Sequence, residues 1–515
     1  GINAFFQELE DGAYKIQNRV MLSRYRGKTV CNFCKGGRLR KESTYVKING
    51  KDITKLINIP IDELLVFIEG LELSLHDQKI ADRMLTEIKN RLSTMMDIGL
   101  GYLALDRLAS TLSGGETQRI NLTRTLGSNL TNSLYILDEP SVGLHPKDTE
   151  KLVSVLKRLR NLGNTVIVIE HEEAVIRNAD YIIDIGPEAG VHGGELTYAG
   201  PYKDFSKGIK GNLTSEYISG QRSIKYPPQK RKIQQKIIVR GASQHNLKNI
   251  DVNIPLQAMT VVTGVSGSGK TSLVKHILYP ALKLLINDPV AIAPGRHMEV
   301  IGDIRNIKMV EMVSQSPIGK SSRSNPVTYV KAYDDIRKLF SDQQLSKIKG
   351  FEPKHFSFNV EGGRCETCKG EGYLTVEMQF LADVTLLCEE CNGHRFKKEI
   401  LEVNFQDKNI YDVLNMTIEE SLTFFMNKKN ILARLQPLHD VGLGYIKLGQ
   451  ASSTLSGGEA QRVKLASFLT KEFLSKNIFF IFDEPTTGLH FHDINKLMDA
   501  FNALVENGHT VLIVE

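Results

Sequence analysis

The chain repeats itself. TLSGGE at Thr111–Glu116 returns at Thr454–Glu459, and its surroundings return with it: GLGYLALDRLASTLSGGETQRINL in the first half answers to GLGYIKLGQASSTLSGGEAQRVKL in the second. LYILDEPSVGLHPKD (134–148) pairs with FFIFDEPTTGLHFHD (479–493), and GNTVIVIEH (163–171) with GHTVLIVE (508–515). A period this long means two copies of one architecture, not a solenoid of short units. Apolar β-branched runs (YILD, TVIVIE, MTVVTG, FFIFDE) alternate with helical segments. That alternation predicts an α/β fold built around a largely parallel sheet.

Between the copies, SGQRSIKYPPQKRKIQQK (219–236) is polar, basic and proline-bearing, and it is the expected linker. A chain of 515 residues has length for about two to four domains. With 41% apolar and 24% charged residues the composition is that of a soluble globular protein, expected in the cytoplasm. No apolar run is long enough to span a bilayer. The opening GINAFFQELEDG has neither the basic nor the apolar region of a secretory signal. A net charge of +6 permits a polyanionic partner without demanding one. The first residue is Gly, and the sequence is expected to begin part-way through a longer protein.

Ser113 and Ser456 each stand three residues before a Glu, the spacing of a capping box, and an amphipathic helix follows both. An ordinary helix start would explain Ser and Glu. It would not explain Gly114, Gly115, Gly457 and Gly458, since glycine in a helix costs roughly 1 kcal/mol against alanine. Bare N–H groups at a helix N-terminus suit a phosphate.

GVSGSGKT (264–271) follows the strand-like MTVVT and precedes the helix-like SLVKHIL, the context of a phosphate-binding P-loop. Backbone N–H groups of Gly264, Ser266, Gly267, Ser268, Gly269 and Ser272 would cradle phosphates. Lys270 would reach the β/γ oxygens, and the Thr271 hydroxyl would bind Mg²⁺. The strand ending in Asp483 would present a carboxylate to Mg²⁺, and Glu484 would orient or deprotonate the attacking water. Asp138 and Glu139 are the first-half copies, with His171 after the strand TVIVIE. Nothing in residues 1–110 fits a P-loop.

All six cysteines lie in C-x-x-C pairs, which suggests metal rather than disulfides in an intracellular protein. Cys365, Cys368, Cys388 and Cys391 form C-x2-C-x19-C-x2-C within a knuckle–strand–strand–knuckle pattern, the spacing of a structural four-thiolate zinc site. Cys31 and Cys34 would bind a second zinc if another pair lies upstream of residue 1, and otherwise form a free pair.

P-loop, LSGGE, DEP strand and following His together resemble ABC-type ATPases. A tetracysteine hairpin between P-loop and second signature, preceded by QSPIGKSSRSNPVTY (315–329), resembles the UvrA family, damage-recognition ATPases of bacterial nucleotide excision repair. RGASQHNLKNIDVNIP (240–255) strengthens the likeness, which spans essentially the whole chain. It implies two tandem ABC-type cassettes with inserted signature subdomains, the first at 1–218 without its P-loop and the second at 237–515. The zinc module falls at 361–396.

The resemblance also implies cross-paired sites. The 264–271 loop, Gln315, Asp483 and Glu484 would share one ATP with Ser113, Gly114 and Gly115. Ser456, Gly457 and Gly458 would face the site of Asp138, Glu139 and His171. It implies double-stranded DNA as partner, preferentially damaged and read through shape and backbone. Lys320, Arg323 and Tyr329 are its positional DNA contacts, weighed equally against a solvated basic loop. A homodimer is implied, and the segment that binds a UvrB-type partner would lie upstream of residue 1. UvrA-like paralogues lacking that segment, some associated with resistance to DNA-damaging drugs, are the main alternative. A transporter or translation-associated ATPase would share the ATP motifs but lack the inserted tetracysteine. A chromosome-structural ATPase would need heptad arms absent here, and a nucleotide-gated clamp without hydrolysis stays open.

Overall fold

The computed structural model describes residues 1–515 apart from 13–17, 19–20, 23–29, 113, 127–130, 188–189, 225–230, 232, 266, 290–291, 320–322, 377–383 and 471–476. It separates into two compact units, Gly1–Asn129 and Leu130–Glu515. This division falls inside the first copy of the repeat, not at the polar 219–236 stretch. Residues 130–218 pack into the same unit as the second copy, for example through Tyr217, whose ring stacks on Phe491 at 5.5 Å. Lys236, the last residue of the expected linker, already belongs to a strand.

The first unit is helical. Ser74 caps the helix Leu75–Asp97 by accepting from the Asp77 N–H, and Ile61–Glu69 buries Ile61, Leu64 and Ile68. The helix Gly114–Leu126 carries the first signature.

The second unit holds every regular strand among the described residues. In chain order they are β1 (Leu134–Asp138), β2 (Thr165–Ile169), β3 (Tyr181–Gly186), β4 (Glu195–Pro201), β5 (Lys236–Ala242), β6 (Ile250–Pro255), β7 (Met259–Val262), β8 (Glu299–Gly302), β9 (Met309–Val313), β10 (Tyr373–Val376), β11 (Val384–Leu387), β12 (Ile478–Asp483) and β13 (Thr510–Val514). The central sheet runs β7-β13-β12-β9 with all neighbours parallel. An antiparallel sheet β6-β5-β8 lies beside it in sequence, and β10–β11 form the expected hairpin.

IFFIFD reads as a continuous apolar run because β12 is covered on both faces. Phe480 and Phe482 enter one core with Val313, Val511 and Ile513. Phe479 and Ile481 point the other way, into a second core with Leu512, Val514 and the helical residues Val274 and Ile277. Strand period two thus divides one segment between two cores. Its copy in the first half is treated differently. Among the described residues β1 pairs in parallel with β2 and no other strand, and Leu134, Ile136, Ile167 and Ile169 are exposed while Tyr135 is buried. The same apolar pattern here has one bare face.

Candidate nucleotide and metal sites

The P-loop bends through three glycines at positive φ: Gly264 (150°), Gly267 (76°) and Gly269 (110°). A Cβ on Gly269 would lie 2.9 Å from Leu247 and 3.0 Å from the Asn246 amide oxygen, so only glycine lets the HNL segment close on the loop. Asn246 also donates to the Gly267 carbonyl at 2.8 Å. The ammonium of Lys270 folds back onto the Gly264 carbonyl. Ser272 exchanges a 3.0 Å hydrogen bond with His245 Nδ1. From Ser272 to Leu278 the following turns wind as π-helix, a widening often found at functional sites. Ser266 lies outside the described residues.

Asp483 ends β12 against this loop. Burial pushes its carboxyl up, with Lys275 and Lys270 opposing. Glu484 follows at φ 46°, and its N–H donates to the Val514 carbonyl at 2.9 Å. Gln315, on the segment after β9, donates to the Glu484 carbonyl at 3.0 Å. Burial raises the Glu484 carboxyl, and the nearby charges of Asp483 and Glu515 add to it. P-loop, Gln315, Asp483 and Glu484 are therefore brought together. Ser113 lies outside the described residues, and Gly114 and Gly115 open a helix of the other unit.

The second signature forms the capping box its spacing predicts. Ser456 Oγ accepts from Glu459 N–H at 3.2 Å, and Glu459 Oε2 accepts from Ser456 N–H at 2.8 Å. Gly457 and Gly458 are the first two residues of the helix. A Cβ on Gly457 would meet the Gln315 side chain at 3.0 Å, and one on Gly458 would touch the Thr487 carbonyl at 3.7 Å. The next residue, Gly488, lies so close to Glu139 that a Cβ would sit 2.8 Å from its Oε2. One loop, 484–490, therefore runs from Glu484 past the second signature to Glu139. His171 Nε2 stands 3.9 Å from Glu139 Oε1, and burial raises the Glu139 carboxyl. Asp138 ends β1 and is exposed. Within the second unit, Gly458 and Glu139 both lie against the 484–490 loop, and His171 faces Glu139.

Sequence reading assigns no role to Tyr102 and Tyr445. Each donates at 2.6 Å to its signature glutamate, Glu116 or Glu459. Buried Arg119 donates to Gly99 O at 3.2 Å, and Arg462 to Gly442 O at 3.4 Å. The GLGY segment thus holds each signature helix near its start, and its signal was the recurrence of GLGY before both copies of TLSGGE. Lys464, two turns into the second helix, spends its three N–H donors on Ser314 O (2.8 Å), Ser316 O (2.6 Å) and Ser316 Oγ (2.9 Å), tying it to the Gln315 segment.

The thiols of Cys365, Cys368, Cys388 and Cys391 are buried with all four sulfurs within 4.8 Å of one another. Cys365–Cys388 and Cys368–Cys391 are 3.9 and 3.7 Å apart. Zinc–sulfur bonds of about 2.3 Å in a tetrahedron would place sulfurs about 3.8 Å apart, so the set fits zinc and leaves no open ligand position. Gly372 N–H donates to Cys368 Sγ at 3.2 Å, the kind of support a thiolate ligand receives. After Cys391, φ is positive at Asn392 (46°), Gly393 (81°) and Arg395 (69°). After Cys34 the same turn appears at Lys35 (47°), Gly36 (92°) and Arg38 (58°). The N–H of Gly37 and of His394 each donates back at 2.8 Å to Cys34 or Cys391.

Lys320 lies outside the described residues. Arg323 pairs with Glu371 at 3.5 Å. Tyr329 closes a four-residue helix and is exposed, with Glu311 and Ser467 beside its phenol. No helix among the described residues is long and apolar enough to cross a membrane.

No protein-family model matches the chain. UvrABC system protein A of Clostridium tetani (strain Massachusetts / E88) is 49% identical over 495 residues, 96% of this chain and 52% of the relative. Its counterpart from Staphylococcus epidermidis (strain ATCC 35984) is 50% identical over 498 residues, again 96% of this chain and 52% of the relative. The chain spans about half the length of the curated relatives it matches. The crystal structure of UvrA2 from Deinococcus radiodurans superposes with a TM-score of 0.86 at 42% identity, covering 94% of this chain and 60% of that one. The fold is accordingly that of tandem ABC-type cassettes with a cysteine-bearing hairpin.

Proposed function

We propose, for a chain that belongs to the UvrA family, that it forms part of an ATPase whose nucleotide state governs recognition of damaged double-stranded DNA in nucleotide excision repair. The supporting observation is the assembled site of P-loop, Gln315, Asp483 and Glu484, joined by one loop to Glu139. In this reading 1–218 and 237–515 are two cassettes. ATP and Mg²⁺ sit on residues 264–272 and Asp483. Ser456–Gly458 close on the site of Asp138, Glu139 and His171. The protein acts as a homodimer in the cytoplasm, with a UvrB-type partner engaged elsewhere in the full-length protein. Zinc occupies the four-cysteine cluster, and Cys31 and Cys34 hold a second ion with an upstream pair. Lys320, Arg323 and Tyr329 contact DNA, which requires Arg323 to leave its pairing with Glu371, whereas Tyr329 is already exposed.

The deciding experiment compares two duplexes of one sequence, one bearing a single bulky lesion, with and without ATP. Salt is held fixed because phosphate contacts make affinity fall steeply with ionic strength. Preference for the lesion, altered by ATP, is the expected result; equal binding under all four conditions refutes it. The likeness to a UvrA2 structure supports a second reading, a UvrA-like paralogue serving tolerance of DNA-damaging drugs.

Two further outcomes follow. Metal analysis of freshly purified protein should give about one zinc per chain from residues 365–391, rising to two where Cys31 and Cys34 find partners; none would refute the metal assignment. The second concerns pH. Asp483, Glu484 and Glu515 all hold their protons above the ordinary carboxylate range, chiefly through burial. Groups raised in the folded state favour folding below their unfolded pKa, near 4, and that contribution is lost as pH rises through the raised values. Mg²⁺ with ATP offsets the resulting negative charge, so its gain in Tm should be larger at pH 8 than at pH 5. Equal gains at both would refute a site built on these carboxylates.

A further inference from the structure

Two glutamates with no role so far occupy matching places in the halves. Glu170 follows β2, and Glu515 follows β13. Glu170 Oε1 accepts from the Ser141 N–H at 2.8 Å, while its Oε2 accepts from the N–H of His171 at 3.1 Å and of Glu172 at 3.3 Å. Glu515 Oε1 accepts both the N–H and the hydroxyl of Thr486, at 3.1 and 2.7 Å. Ser141 and Thr486 are one position in the repeat, two residues past Glu139 and Glu484.

Glu139 and Glu484 both sit at positive φ, 43° and 46°, a conformation that long L side chains seldom adopt and that surrounding structure must enforce. On one side the strands enforce it: Glu139 N–H donates to Ile169 O and Glu484 N–H to Val514 O, both at 2.9 Å. On the other side lies a pair of consecutive turns. Val142 and Thr487 donate to Glu139 O and Glu484 O at 3.2 and 3.4 Å, then Leu144 and Leu489 donate to Ser141 O and Thr486 O at 3.0 and 3.1 Å. The glutamate after the strand grips the first of the two residues that these turns share.

We propose that Glu170 and Glu515 are positioning residues that clamp the turn beyond Glu139 and Glu484 and so aim those carboxylates at the water attacking ATP. The inference deepens the ATPase reading and rests on it. Its strongest support is duplication: the same carboxylate-to-backbone grip recurs at the same repeat position. Electrostatics agrees. The charged groups facing Glu484 are Asp483, Glu515 and Lys270; after burial and Asp483, Glu515 is the next influence raising its proton affinity. Glu170 acts likewise on Glu139, after burial, His171, which opposes, and Asp138.

The test is steady-state ATP hydrolysis by the full-length protein across pH. Glu515→Ala should lower kcat about ten- to a hundredfold, the scale of a misaimed group, with KM for ATP within about twofold. Glu515→Gln keeps an acceptor for Thr486 without the charge. It should recover most of the kcat and shift the acid limb of the kcat profile to lower pH. Unchanged kcat in E515A, a loss carried by KM, or an unmoved acid limb in E515Q overturns the proposal. The E515Q profile alone decides if E515A does not fold. An E484Q chain measured alongside keeps the two readings apart. Normal hydrolysis by E484Q overturns the base assignment itself, whereas inactive E484Q with wild-type E515A overturns only the clamp.

Discussion

Glu484→Gln is expected to cut ATP hydrolysis by the 515-residue chain by a factor on the order of a hundred or more, the usual share of a general base. ATP affinity should stay within about threefold. The substitution keeps size and hydrogen-bonding capacity, so the backbone anchors to Val514 and Gln315 survive and only proton acceptance is lost. Burial has already raised the proton affinity of Glu484, moving it toward the pH at which a base both stays ionised and accepts a proton readily. Lys270→Ala is the contrasting lesion. It removes the cation that faces Asp483, Glu484 and Glu515, and tight nucleotide binding should disappear with hydrolysis. Isothermal titration with a slowly hydrolysed ATP analogue separates the two variants. If Lys270→Ala binds ATP normally, the P-loop assignment is wrong. If Glu484→Gln hydrolyses normally, the base is another group; if neither form hydrolyses ATP, the chain is a clamp without turnover.

Cys388→Ala is expected to release the metal and unfold the hairpin module around it. Among the described residues β10 and β11 share four residue pairs, and Tyr373, Leu374, Val384, Leu386 and Leu387 are all exposed. A two-stranded hairpin with no apolar face covered is marginal in water. The buried cluster at its base consists of the four cysteines themselves, so ligation takes the place of a core. Structural zinc contributes about 10–16 kcal/mol of apparent binding free energy in small folded modules, far more than four strand pairs supply. Limited proteolysis should cut the variant within 361–396, where the intact protein resists, and its zinc content should fall by about one per chain. Retained zinc together with unchanged cleavage would show that the module stands without Cys388.

Local signals proved legible where the physics is local. The Ser456–Glu459 reciprocal cap needs only the residues of one helical turn, and the glycine-bent loop 264–269 needs only its own torsions. The four cysteines met as their spacing predicted, since a hairpin between knuckles brings both pairs to one end. Contacts between loops were not legible. Nothing in PTTGLH announces that Gly488 will lie against Glu139, because that meeting is decided by packing of 130–218 against the second copy. Arg323 and Tyr329 read as free polar groups in a basic loop. One became half of an ion pair, and the other stays exposed with Glu311 and Ser467, both distant in sequence, beside its phenol.

The bare face of β1 and β2 bears on handling as well as on form. Leu134, Ile136, Ile167 and Ile169 make a short apolar row in contact with water. A paired strand couple that is apolar on its open side is the template on which sheets grow between molecules. Prepared as this span alone, the molecules should behave as sticky colloids, with light scattering rising with concentration and falling when Ile136 or Ile167 is replaced by Lys.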